Sequence, residues 1–314
     1  MERRGLNFRK FLLGTVLPVL RRLPLPLASR VVAGIGQTEY RMHAELRQTF
    51  LGAVERASLQ LGCDWDVATV SRELAGNQVR WRTRDLLLDG VSDTRAASVF
   101  SVDARGHLDD ALALGKGAIV LACHFGGHLL PAHWLFRQKY PLRFYMERPR
   151  HISRYMARQF DTDGPLGQNK LFISRQGDAA AAAGSILRAA RVLQSGMLIY
   201  IAGDVRWAGP HSQPATFLGN TVHLSATWVN LAALTGAPVV PVFCQMQREG
   251  TYHIEFHPRF HVPADAVKSG QSARWVQSYM KLLEDQVRAH PANSNEYFFW
   301  PEVSHAAAEE TKAA

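Results

Sequence analysis

Apolar positions recur along this chain in two rhythms, and the change from one to the other organises it. Over residues 40–62, Met42, Leu46, Phe50 and Val54 fall four apart, which predicts a helix with one buried face. The stretch onward to about residue 112 reads as further helix and turn, a helical N-terminal layer. At Gly115-Lys116-Gly117 the rhythm changes. AIVLAC (118–123) is an unbroken apolar run, as expected of a strand buried on both faces. LRFYM (142–146), LFIS (171–174), MLIYIA (197–202) and PVVPVF (238–243) predict further strands. Tyr252, Ile254 and Phe256 alternate, so 251–256 predicts a strand with one face exposed. Helices are predicted at about 178–194, capped by Asp178 and striped by Ile186, Leu187, Ala190 and Leu193, and near 222–235. The last, 273–289, carries Val276, Tyr279, Met280, Leu283 and Val287 on one face. Strands alternating with helices predict an α/β fold: a mixed, largely parallel sheet flanked by helices, with a helical amphipathic N-terminal layer. The expected organisation is a basic amphipathic membrane-association segment at 1–40, one α/β domain over 41–305 and a frayed tail at 306–314.

Composition sharpens this picture at two points. With 314 residues, 47% hydrophobic and 20% charged, the chain is long and apolar enough to bury a substantial core. Cys63, Cys123 and Cys244 are odd in number and widely spaced, which fits neither a disulfide framework nor a zinc ribbon and points to a reducing compartment. The net charge of +9 is uneven: residues 1–41 hold eight basic side chains against Glu2 and Glu39. Between the basic pairs lies FLLGTVLPVL (11–20), and LPLPLASRVVAGIG (23–36) follows Arg21-Arg22. Apolar stretches between paired arginines favour an anionic lipid surface. Without an aromatic-and-basic stacking platform, no nucleic-acid partner is expected. A membrane span needs about 20 apolar residues. The run at 11–20 stops at Arg21-Arg22 and is interrupted by Pro18. An interfacial helix is expected, with a helix packed on its own domain and a true span as the alternatives.

In open α/β sheets, ligands bind beyond the carboxyl ends of the strands. The predicted strands are followed by His124, by Glu147 and Arg148, by Arg175, and by Gly203 and Asp204. Parallel strands would bring these to one rim. His124 opens the string HFGGHLLPAHWL, in which Gly126 and Gly127 let backbone approach a substrate and amides at a helix start favour anions. Histidine suits proton abstraction from an alcohol; the plain alternative is a buried, hydrogen-bonded ring at a strand end. Cys123 invites a thiol-nucleophile reading, although a cysteine ending an apolar strand is ordinarily core packing. His124-x-x-x-His128, with His133 nearby, has metal-ligand spacing, yet no glutamate follows the first histidine and no metal is predicted. Phe217 reads as core or groove wall. His223 reads as part of a helix start, or as a residue facing the site.

HFGGHLL resembles the catalytic segment of the lysophospholipid acyltransferase superfamily, and in particular the branch of bacterial lipid A biosynthesis lauroyl and myristoyl acyltransferases. Similar proteins acylate phosphatidylinositol mannosides. Arg148-Pro149, Gly203-Asp204, ATFLGNTVHLSATWVNLAALTGAPVVPVF (215–243) and LEDQVRAHPANSNEYFFW (283–300) resemble further strings of that branch, in the same order. The resemblance implies a single acyltransferase-like domain that moves a fatty acyl group from acyl-carrier protein or acyl-CoA to a hydroxyl of a lipid or glycolipid. His124 would be the general base, with no acyl-enzyme and no cofactor beyond the thioester co-substrate. Gly126, Gly127, His128, Arg148, Arg175, Phe217 and His223 would contact substrate or hold phosphates. The implied location is the cytoplasmic face of the cell inner membrane, peripheral or anchored by the N-terminal segment. In this family an acid follows the histidine after four intervening residues; here that position is Leu129. Asp204 and Glu147 are the candidate replacements. Asp204 is preferred because it ends a long buried strand and Gly203 permits close approach; a neutral hydrogen bond from His128 is the third option. Leu129 also leaves open a non-catalytic lipid-binding protein of the same fold, or a transferase with an amine or soluble natural-product acceptor.

Overall fold

Eight strands are present among the described residues: β1 (Phe100–Asp103), β2 (Ala118–Ala122), β3 (Leu142–Phe144), β4 (Leu198–Ala202), β5 (Ser212–Phe217), β6 (Asn220–Ser225), β7 (Val239–Met246) and β8 (Tyr252–Phe256). The structure is a computed structural model, and it describes residues 16–300 apart from 84, 147–152, 162–178, 208, 210 and 211. The strand expected at 171–174, the Asp178 cap, Glu147, Arg148, Arg175 and the tail therefore lie outside the described residues. Six strands form one sheet in the order β1-β8-β7-β2-β4-β3. Every neighbouring pair is parallel except β7 and β8. The α/β architecture, the mostly parallel sheet and the N-terminal helical layer all match the expectation.

The unbroken apolar runs are explained by burial on both faces. Ile119 and Leu121 of β2 join one core cluster, whereas Ala118, Val120 and Ala122 join the other. All five are at most 3% exposed. The first cluster is closed by the helices Thr227–Thr235 and Ser272–Ala289. The latter buries Val276, Tyr279, Met280, Leu283 and Val287, the predicted stripe. Each such side chain contributes up to about 1.5–3 kcal/mol when removed from water.

Four expectations need correction. The helix expected over 40–62 is two helices, Leu25–Met42 and Ala44–Leu61, separated at His43, whose φ of −107° and ψ of 107° are extended. Met42 is consequently 75% exposed and leaves the stripe. β1 occupies part of the stretch read as helix and turn; its four residues have the burial pattern of an edge strand, too short to show a rhythm. In the helix Ala179–Gln194, Ile186, Ala190 and Leu193 turn to the core as expected and Ala189 and Val192 join them, but Leu187 is 57% exposed and leaves the stripe. Residues 222–225 are strand, not helix. They belong to β6, which pairs antiparallel with β5 in a two-stranded hairpin. Leu218 and Gly219 at its tip both have positive φ, 49° and 75°, as a two-residue hairpin turn with matching twist requires. The helix starts only at Thr227.

The N-terminal layer is packed on the sheet domain. Gly36 of the Leu25–Met42 helix and Gly76 of the Val67–Thr83 helix let the two backbones touch: a Cβ on Gly36 would collide with the Ala75 carbonyl oxygen. Leu17, Leu20, Ala28, Val32 and Leu87 form a small core of their own. The division expected at residue 40 falls inside the Leu25–Met42 helix. Val19, Leu27 and Val31 of this layer remain exposed by 57%, 37% and 39%. Among the described residues, no helix is long and apolar enough to cross a membrane.

Candidate active site

β2 and β4 pair in parallel with Ala122 opposite Ala202. Two residues further along, the same register sets His124 beside Asp204. The backbone N–H of Gly203 continues the ladder to the Ala122 carbonyl at 2.8 Å. Asp204 then clasps His124 twice: Oδ2 accepts the His124 backbone N–H at 2.8 Å, and Oδ1 lies 3.0 Å from ring Nδ1. Nδ1 is thus the protonated nitrogen when the ring is neutral, which puts the lone pair on Nε2. The His124 side chain is 30% exposed, whereas Asp204 is 1% exposed.

A third group completes the arrangement. Tyr297, 3% exposed in a short 3-10 turn, donates its hydroxyl to Asp204 Oδ2 at 2.7 Å. Burial pushes the Asp204 carboxyl up, and this is the largest single influence. It is outweighed by the charge and hydrogen bond of the His124 imidazole, the His124 amide and the Tyr297 hydroxyl, so the carboxyl sits below its ordinary value of 3.8. Gly203 leaves room for the Tyr279 ring, and Tyr279 donates to the Ala122 carbonyl at 2.8 Å. The close approach expected at Gly203 is therefore made by a tyrosine.

Other predicted residues fall elsewhere. Leu129 is 1% exposed in the core cluster that also holds Leu130 and Leu135. Gly126 and Gly127 bring backbone close to protein, not to an open site: their N–H groups donate to Asn293 O and Cys244 O, both at 2.8 Å. Gly126 has φ +54°, and a Cβ there would strike the Cys244 carbonyl oxygen. The anion-holding role expected of these amides is corrected accordingly, because their protons are already used. His128 lies with its ring 5.1 Å from that of His124 and 5.6 Å from Trp81, and its carbonyl accepts from Tyr200. His133 is fully buried against Phe100 and Tyr155. The three histidines do not converge, and among the described residues no group of three or more His, Cys, Asp or Glu is placed to hold a metal. Phe217 is 2% exposed, its ring 5.2 Å from Tyr297. It lines a cavity of about 300 Å³ with Ala53, Ala57, Tyr297 and Trp300, and Arg56 and Gln60 add polar groups to the lining. His223 is exposed on β6, on the face opposite the buried Val222 and Leu224. Burial pushes the Cys123 thiol well above its ordinary range, which leaves it protonated and unsuited to attack.

Sequence reasoning missed Tyr297. Its only signal was a tyrosine within an apolar string near the end of the chain, a pattern shared by ordinary core aromatics. Chemically, the arrangement offers a part-exposed imidazole backed by a buried carboxylate, a pairing that can take a proton and hold the resulting charge.

The family described as bacterial lipid A biosynthesis acyltransferase matches residues 86–300, a span that includes His124, Asp204 and Tyr297. In a comparison with curated proteins, nothing matches the chain.

Proposed function

The chain belongs to the bacterial lipid A biosynthesis acyltransferase family, and from that premise we propose that it transfers a fatty acyl group from a thioester donor to a hydroxyl of a lipid or glycolipid, with His124 as general base. The observation that carries the proposal is the 3.0 Å contact between His124 Nδ1 and Asp204 Oδ1 on an imidazole that remains 30% exposed. Asp204 takes the part of the acid missing at Leu129.

Nε2 accepts the proton of the acceptor hydroxyl as its oxygen attacks the thioester carbonyl carbon. Asp204 holds the ring in the required tautomer and stabilises the imidazolium that forms. The tetrahedral intermediate collapses with cleavage of the carbon–sulfur bond, and the imidazolium returns its proton to the leaving thiolate. The products are an acyl ester and a free thiol; no acyl-enzyme forms. Acyl-carrier protein or acyl-CoA is the proposed donor, and no cofactor is required.

The proposed location is the cytoplasmic face of the inner membrane. It is supported by the basic N-terminal segment and by exposed Leu27 and Val31 beside exposed Arg30. Incubation of purified protein with radiolabelled acyl-CoA or acyl-carrier protein and a total lipid extract tests the reading. Label should enter lipid with the wild-type chain and not with His124→Ala. Lipid binding without any turnover would favour a non-catalytic protein of the same fold, the function that Leu129 leaves open. Label entering an amine would move the acceptor class.

A further inference from the structure

A second concavity lies beside the His124 segment. It has a volume of about 710 Å³, within the range of small-molecule sites. Its walls are the Leu25–Met42 and Val67–Thr83 helices, the turn between β7 and β8, and the chain that follows the Ser272–Ala289 helix. β7 runs parallel to β2, so its end at Met246 lies on the same edge of the sheet as His124. Asn293 joins the two places. It lines the cavity, accepts the Gly126 N–H on its carbonyl at 2.8 Å, and accepts the Met246 N–H on Oδ1 at 2.7 Å.

Five arginines line this cavity: Arg30, Arg41, Arg72, Arg80 and Arg248. Among the described residues, Arg248 is the one of the five in a close ion pair, with Glu73 at 2.6 Å; Arg72 feels the charge of Asp66 without such a contact, and the other acid in the lining is Glu249. Arg80 is the informative one. It is 3% exposed, and its guanidinium donates to Gln247 O at 2.8 Å, Thr251 O at 3.1 Å and Asn77 Oδ1 at 3.2 Å. It lies 5.1 Å from the centre of the Tyr252 ring, and its Nε has no partner. Every contact of this buried cation is with a neutral group. A buried charge without a counter-ion is costly. Five guanidinium groups against two carboxylates leave the lining with an excess of positive charge, which an entering anion would balance. Planar guanidinium forks match phosphate oxygens two at a time.

We propose that this cleft is a binding site for a phosphate or diphosphate ester. Its assignment to a substrate rests on the acyl-transfer reading; its affinity for phosphate does not. Two sources share this chemistry, the headgroup of a phosphorylated lipid acceptor and the phosphates of the thioester donor.

Calorimetric titration of the full chain with pyrophosphate tests the site. Saturable binding is expected, weakened about tenfold by Arg41→Gln, about tenfold by Arg72→Gln, and more by both together. Arg30→Gln, at an exposed position, provides a third variant should either fold poorly. His124→Ala should bind pyrophosphate as the wild type does, and so should Arg259→Gln, whose arginine pairs with Asp110 away from the cleft. Absence of saturable binding, or equal weakening by Arg259→Gln, overturns the proposal. Two further arms assign the source. Tighter binding of CoA than of pyrophosphate, sensitive to the Arg41 and Arg72 variants, assigns the donor. Recruitment to phosphatidylcholine vesicles containing phosphatidic acid, lost in the same variants, assigns the headgroup. If pyrophosphate does not bind while label transfer still depends on His124, only this inference falls; if it binds and no transfer occurs, only the acyl-transfer reading falls.

Discussion

Two histidines of one short segment have opposite surroundings. His124 stands at the end of β2, part exposed, with a carboxylate on one nitrogen. His133 lies in the next helix, Leu130–Arg137, fully buried between the Phe100 and Tyr155 rings, and neither of its nitrogens has a hydrogen-bond partner. Burial pushes His133 down to about 3, with the nearby Arg137 charge adding to the effect. Above that value the buried ring is neutral. One imidazole is paired with a carboxylate at a part-exposed position, and the other is sealed among rings without a partner. The residue type decides neither outcome; a partner and access to water do.

The largest way to break the contrast is Asp204→Asn. It keeps the volume but removes the charge and favours the wrong ring tautomer. By analogy with the serine-protease triad, turnover should fall about 10⁴-fold. His124→Ala should cost about as much, and the double variant little more, since the two act as one unit. A loss below about tenfold for Asp204→Asn, measured as label transferred per minute, would remove the dyad from the mechanism.

His133→Leu sharpens the contrast from the other side. The folded value of about 3 lies below the ordinary 6.5, so the unfolded chain takes up this proton first as pH falls. The stabilising contribution is therefore complete above about 6.5 and is lost progressively as pH falls toward 3. Near pH 5 it has cost about 2 kcal/mol relative to neutral pH. His133→Leu should abolish that part of the acid sensitivity and leave turnover unchanged. Urea unfolding at pH 7 and pH 5, run beside the wild type, measures the difference.

The smallest effect is expected from Tyr297→Phe. Asp204 loses one of its three hydrogen bonds, a change of about 1–2 kcal/mol in stability and about tenfold in turnover with KM unaltered. The Asp204 carboxyl is depressed, so its contribution is present above 3.8 and disappears as pH falls through its lower folded value. Removing the tyrosine donor should shift that loss to higher pH. An unchanged acid unfolding profile would mean that the hydroxyl plays no part in holding the carboxylate.

Much of the fold was legible because two-faced burial writes an unbroken apolar run, as in AIVLAC and MLIYIA, and one-faced burial writes a stripe, as in the Ser272–Ala289 helix. The β5–β6 hairpin was missed because its alternation is short and its tip uses Leu218, a residue that rarely takes a positive φ. At the site, His124 stood out by its place after a strand, and Asp204 for the same reason. Tyr297 did not, since nothing local distinguishes a tyrosine that donates to a buried carboxylate from one that fills a core. The orphaned state of His133 was equally silent, because it depends on which rings surround it.

What the sequence determined by itself is the set of buried segments and the short list of polar residues at their ends, since both follow from which positions must leave water. Only the tertiary structure chose among those residues. The pairing of β2 with β4 at one register sets an imidazole against a carboxylate eighty residues away, and turns Leu129 into the core. A shift of one residue in that pairing would reverse the face of every side chain beyond it. Partnership between distant residues is a property of how strands align in space, and no local pattern in the chain carries that alignment.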